Sequence, residues 1–215
     1  AHDLDVPVPL VVFSWPSAAQ VIGYVYDRDS ALISRDMLEE LIVAVAEYPN
    51  RDLFITAHSM GSYLLMETLR QISISGRVDL KRDITGVLLL APDIDTELFR
   101  DQAERIGALP EPFLVVVAEQ DRALRFSSGL TGRGVRLGSL TDPEEVQGLG
   151  VTLVDVGSLS DGKRFDHNIA TSSPAAISIF RKLNQVSSPG DLHVVESVVR
   201  ADQAEGLLSR IQSGF

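Results

Sequence analysis

Cysteine is absent from this chain, which removes disulfides, thiolate zinc centres and thiol catalysis together. Its absence leaves the compartment open, since a soluble cysteine-free protein suits the cytoplasm, the periplasm or the outside of the cell. Long apolar runs are missing too. None approaches the ~18 residues of a membrane span, and no basic-then-apolar signal segment opens the chain. Positive charge is in deficit: 19 Lys and Arg against 30 Asp and Glu give a net charge of −11. That balance argues against nucleic-acid partners and anionic membrane surfaces. Internal repeats and low-complexity linkers are also lacking, so residues 1–215 are expected to form a single domain. With 215 residues, 45% of them hydrophobic, there is enough chain for a sizeable core.

Apolar runs alternate with helically spaced segments, the pattern of a parallel sheet covered by helices. Pro9–Phe13 reads as a first strand, followed by a helix from about Ser30 to Tyr48 with Leu38, Leu41, Ile42 and Val45 on one face. A strand at Leu53–Thr56 leads through Ser59 into a helix carrying Leu64, Leu65, Thr68, Leu69 and Ile72 and stopping near Gly76. Val87–Leu90 is the next strand, after which Asp95 reads as the N-cap of a helix with Leu98, Phe99 and Ile106. Phe113–Val117, continuously apolar, reads as a strand buried on both faces. Residues 125–150 are glycine-rich and polar and read as a long loop with room for a short helical piece. Val151–Val156 is the last expected strand. A helix opening at Ser173-Pro174 and another between Asp191 and Ile211 complete the chain.

Open parallel sheets bind ligands outside the carboxyl ends of their strands. The residues there are Ser14 and Trp15, then Ser59, Asp93, Asp121 and the segment holding His167. The most informative of these stretches is Ala57-His58-Ser59-Met60-Gly61. A serine at a sharp strand-to-helix turn, with small residues two before and two after, is the pattern of a nucleophile elbow, here with alanine for the first glycine. The small residues are expected because the turn brings those positions close to neighbouring backbone. The competing reading is a plain helix N-cap serine.

A serine hydroxyl needs a base within hydrogen-bond reach, and histidine suits that task at neutral pH. Of the four histidines, His2 is terminal, His193 lies in an apolar helical segment, and His58 leaves the turn in another direction and suits packing. His167, in Arg164-Phe165-Asp166-His167-Asn168, remains, with a solvated loop histidine as its alternative. The carboxylate that orients the imidazole is expected at Asp121, directly after the Phe113 strand. Asp93 is the rival, one strand earlier. Asp166 and Asp95 read as local caps. The Met60 backbone N–H is placed to hold an oxyanion. Trp15 and Ser14 stand at the mouth of the site as substrate-binding candidates, although Trp15 would serve equally as a structural side chain beside Pro16.

Phe13-Ser14-Trp15-Pro16-Ser17, Tyr24-Val25-Tyr26-Asp27-Arg28-Asp29, Ala57-His58-Ser59-Met60-Gly61, Ala91-Pro92-Asp93-Ile94-Asp95, Asp121-Arg122-Ala123-Leu124 and His167-Asn168, in that order, resemble the bacterial esterase/lipase-like α/β hydrolases. The resemblance spans roughly Leu10 to Ile177. It implies an α/β-hydrolase fold, a mostly parallel sheet with helices on both faces, and a Ser59–His167–Asp121 triad hydrolysing ester or related acyl bonds. Substrates in that family are mostly undefined. Its members usually carry a further strand upstream, ending in a His-Gly-Tyr-Asn loop that supplies a second oxyanion donor. That strand would lie between the Val11 and Leu53 strands, so an N-terminal portion beyond Ala1 is expected. Without the second donor, catalysis would fall by roughly 10²- to 10³-fold.

The expected function is therefore cleavage of a small-molecule carboxylic ester through an acyl-enzyme, with no metal and no organic cofactor required. An acyltransferase or thioesterase on the same three residues is the nearest alternative. A non-catalytic α/β-hydrolase-like binding scaffold is the alternative from another class.

Overall fold

A computed structural model of the protein describes residues 10–18, 23–48, 52–117, 135–140, 142–155 and 199–200. Five strands, β1 (Phe54–His58), β2 (Gly86–Leu90), β3 (Phe113–Val117), β4 (Thr152–Asp155) and β5 (Val199–Arg200), lie side by side in chain order. Every pairing is parallel, with Phe54 opposite Gly86, Val87 opposite Phe113, Leu114 opposite Thr152 and Val154 opposite Val199. Parallel neighbours need crossovers. Helix α3 (Met60–Ser75) connects β1 to β2, and α5 (Thr96–Ile106) connects β2 to β3.

The two central apolar runs behave as their composition demands. Every residue of β2 and β3 is buried. Val87, Leu89, Phe113, Val115 and Val117 join Leu65, Met66, Leu69 and Phe99 in the main core. The side chains of opposite alternation, Leu88, Leu90, Leu114 and Val116, are buried as well, so both faces of these strands are covered. Gly86 is required at the start of β2, because a Cβ there would come 2.6 Å from Cε2 of Phe54. That contact would push apart the first register pair of β1 and β2.

Helix α3 lies between α2 (Arg35–Ala46) and α5, and buried polar side chains stitch the three together. Glu39 of α2 accepts from Gln71 and from Ser75 Oγ, and Glu67 of α3 accepts from Gln102 Nε2 at 2.6 Å. Glu67 is also paired with Arg70 at 2.8 Å. Asp95 caps α5 through Leu98 N–H at 3.2 Å, as its position after the strand predicts. Asp79 caps the single-turn α4 (Leu80–Asp83), and α3 stops at Gly76, left-handed at φ 66. None of the helices among the described residues is long and apolar enough to cross a membrane.

Four expectations are corrected. The helix expected from Ser30 to Tyr48 is two, α1 (Tyr24–Ile33) and α2, separated by Ser34. The Ser34 hydroxyl takes the Ser30 carbonyl at 2.8 Å, and a side chain that competes for the helical acceptor loosens the helix there. Residues 10–13 form no strand; Leu10, Val11 and Val12 are exposed. An extended apolar run becomes a strand only where a neighbour completes its hydrogen bonds, and none of the described strands lies beside it. Val199–Arg200, expected within a terminal helix, is strand β5, paired with β4, and of its two residues the β-branched Val199 favours strand. In the described part of the 125–150 segment the expected short helical piece is two 3₁₀ turns, Leu137–Ser139 and Pro143–Val146, but the packing is not that of a polar loop throughout: Leu137, Leu140 and Val146 are buried in the core.

Candidate functional site: the Ser59 turn and its surroundings

β1 hands over to α3 in one residue. Ser59 takes φ 53, ψ −125, a region sterically unfavourable for any residue with a Cβ, at about 1–3 kcal/mol. The neighbouring elements hold it there. Ser59 N–H donates to the Leu90 carbonyl at 3.0 Å, and the Ser59 carbonyl accepts from Ser62 N–H at 3.0 Å and Asp93 N–H at 3.2 Å. The side chain makes no capping bond to α3, so the N-cap reading of Ser59 fails. Ser59 is a half-buried residue on a strained strand-to-helix turn. Met60 is the first residue of α3, where helix geometry leaves the leading N–H groups without intrahelical acceptors.

The two flanking small residues sit in different surroundings. Ala57 is buried in the core. At Gly61, however, the nearest described atoms to an added Cβ are Cη2 and Cζ3 of the Trp15 ring, at 3.6 and 3.8 Å. That is ordinary van der Waals contact with a side chain, and not the backbone crowding predicted. The ring edge of Trp15 therefore lies over the first turn of α3, two residues after Ser59. Its Nε1 is buried and has no hydrogen-bond partner among the described residues. Ser14, just before it, is exposed.

Helix α1 fixes this tryptophan segment. Ser30 Oγ donates to the Pro16 carbonyl at 2.7 Å. The buried Asp27 carboxylate accepts from Ser17 Oγ at 2.8 Å and Ala18 N–H at 2.6 Å. Asp27 belongs to the Tyr24–Asp29 stretch and Pro16-Ser17 to the tryptophan stretch, so these two segments are hydrogen-bond partners.

Asp93 sits beside the serine turn, with its carboxylate already engaged. Oδ1 is 3.3 Å from Nε of Arg136, and side-chain exposures of 7% and 2% make this a buried ion pair. The Tyr24 hydroxyl donates to the same carboxylate. Burial, first, and the Asp93 charge, second, push the Tyr24 pKa up from 10.0 to about 12. Neither Tyr24 nor Arg136 was identified as a site residue by the sequence reading. Tyr24 opens a motif, but nothing in the glycine-rich composition around Arg136 signals a buried cation. His58 ends β1, half-buried, opposite Leu90. Asp121 and His167 lie outside the described residues, as do His2, Asp166 and His193. The described residues hold no group of three or more His, Asp or Glu arranged for a metal ion.

A sequential parallel sheet, covered on both faces, with a strained serine between a strand and its following helix, is the architecture of an α/β hydrolase. The family model for alpha/beta hydrolases of unknown function, DUF900, matches residues 1–184, and the chain belongs to that family. The "uncharacterized protein alr1448" of Nostoc sp. is 38% identical over 66 residues, which is 30% of this chain and 17% of that protein. The alignment thus spans well under two thirds of that relative's length. No solved structure matches the chain.

Proposed function

We propose that the protein is a serine hydrolase that cleaves carboxylic esters. The observation that carries this reading is the left-handed turn at Ser59, held at a cost in backbone energy although the side chain caps nothing. Such strain clusters at functional sites, and here, unlike at the similarly strained Ala91, the residue that bears it carries a hydroxyl. Ser59 Oγ attacks the acyl carbon as His167 takes its proton, and His167 returns that proton to the departing alcohol. Asp121 orients the imidazole, and Met60 N–H receives the developing oxyanion. Water, activated by the same histidine, then releases the acid and restores the serine. The engagement of Asp93 by Arg136 and Tyr24 favours Asp121 over Asp93 as the orienting carboxylate. The lie of the Trp15 ring against Gly61 favours Trp15 as a wall of the acyl or alcohol pocket, with Ser14 at its rim.

A fluorophosphonate probe tests the reading. Wild type is expected to label stoichiometrically and Ser59→Ala not at all; folded wild type that resists labelling overturns it. Comparing acid release in water with product formation in added alcohol or amine separates a hydrolase from an acyltransferase, and an ester series against thioesters fixes the bond class.

A further inference from the structure

A buried Asp–Arg pair is seldom kept for stability alone. Desolvating both charges offsets most of their attraction, and apolar replacements of similar volume are often as stable or more so. The Asp93–Arg136 pair must therefore be judged by what its geometry constrains. Arg136 arrives on a segment that runs antiparallel to the chain leaving β2. Leu137 N–H donates to the Ile94 carbonyl at 2.9 Å, Gly138 N–H to Pro92 at 3.0 Å, and Thr96 N–H to Val135 at 3.2 Å. Main-chain bonds thus clasp residues 92, 94 and 96, while the guanidinium and the Tyr24 hydroxyl grip residue 93 by its side chain. With its carboxylate turned inward, residue 93 has its N–H directed at the Ser59 carbonyl, 3.2 Å away.

We infer that the Tyr24–Asp93–Arg136 cluster is a positioning device for Ser59: it fixes the main chain at residue 93, whose N–H holds the Ser59 carbonyl and so the left-handed turn that presents the hydroxyl. The inference rests on Ser59 being the nucleophile. Ser59 has no intrinsic preference for φ 53, so a loosened partner lets the turn relax and carries the hydroxyl away from its attack position. Displacements on the order of 1 Å cost about 10²-fold in rate.

The test is the phosphonylation kinetics of folded protein with a fluorophosphonate, separating the rate of the covalent step from the binding constant of the probe. Arg136→Met and Asp93→Asn are expected to slow the covalent step by similar factors, roughly 10- to 100-fold, with probe binding unchanged. Arg136→Lys is expected to restore most of that loss. Since Arg136→Met strands a buried carboxylate and could fail to fold, Asp93→Leu/Arg136→Met, which removes both charges, provides the folded comparison and should stay at least about tenfold slow. A folded double variant reacting at the wild-type rate overturns the inference. So does an Asp93→Asn loss some 10³-fold larger than that of Arg136→Met, which would assign Asp93 to the imidazole directly. Wild type that fails to label overturns the nucleophile reading and this inference together, whereas labelled wild type with an indifferent Arg136→Met overturns this inference alone.

Discussion

Two adjacent strands of the sheet end in the same unusual way and then diverge. His58 and Leu90 are register partners, and the residue after each, Ser59 at φ 53 and Ala91 at φ 42, has a positive φ without being glycine. After Ser59 the helix begins at once. After Ala91 four residues intervene before α5, residues 92 and 94 of which accept bonds from the 137–138 segment. Ala91 is 2% exposed, whereas Ser59 is half-buried. Backbone strain alone is thus no mark of chemistry. The second junction carries a methyl group in the interior, while the first carries a hydroxyl, on a half-buried residue, at the carboxyl end of the sheet.

Replacing each junction residue breaks the comparison most sharply. Ser59→Ala should reduce ester turnover by at least about 10⁴-fold with the fold retained, as judged by circular dichroism and active-site titration. Ala91→Gly should leave turnover unchanged and raise the unfolding midpoint. It relieves a left-handed penalty of about 1–2 kcal/mol against a glycine entropy term of about 0.5–1 kcal/mol. If Ala91→Gly slows turnover instead, the two junctions are not separable.

The two carboxylates that follow neighbouring strands sharpen it next. Asp121→Asn should lower kcat by about 10⁴-fold with little change in stability. Asp93→Asn should lower denaturation free energy by about 3 kcal/mol, because Arg136 keeps a buried charge with a weakened partner. A urea titration beside a rate assay of both variants checks this, and reversed ranks would exchange their roles.

Smaller effects come from pH. Turnover through His167 should rise along an ascending limb near the ordinary histidine pKa of about 6.5; a flat profile from about pH 5 to 8 would remove histidine from the step. Stability should respond at the alkaline end. The Tyr24 pKa is raised in the folded state from 10.0 to about 12, so its contribution is fully present below pH 10 and is lost as pH rises toward 12. Tyr24→Phe should flatten that decline, read as the denaturation midpoint against pH.

Much of this was legible in the sequence because it depends on local rules. The continuous apolar runs at 87–90 and 113–117 identify strands buried on both sides, and Asp95 three residues before Leu98 is a cap by spacing. The serine turn was visible because small residues flank so abrupt a handover, although at Gly61 an added Cβ would meet only the Trp15 ring, at ordinary contact distance. What escaped depends on contacts between distant segments. Arg136 lies among glycines in a stretch that reads as solvent loop, and only the acceptors at 92–94 make it interior. One hydroxyl, Ser34, divides a helix whose apolar spacing runs on unbroken. Leu10–Val12 has strand composition but no ladder beside it among the described residues, and hydrophobicity cannot supply hydrogen bonds.

The seat of Trp15 has a consequence for how this protein can change. Its turn is moored to α1 through Asp27 and Ser30, and none of these mooring bonds reaches the sheet or the serine junction. On the proposed reading the tryptophan wall and the serine turn nevertheless share one support, since α1 carries both Asp27, which holds the 15–18 segment, and Tyr24, which bonds Asp93. A library at residues 14–18 would reshape what the protein admits, whereas changes along α1 would disturb admission and serine geometry together.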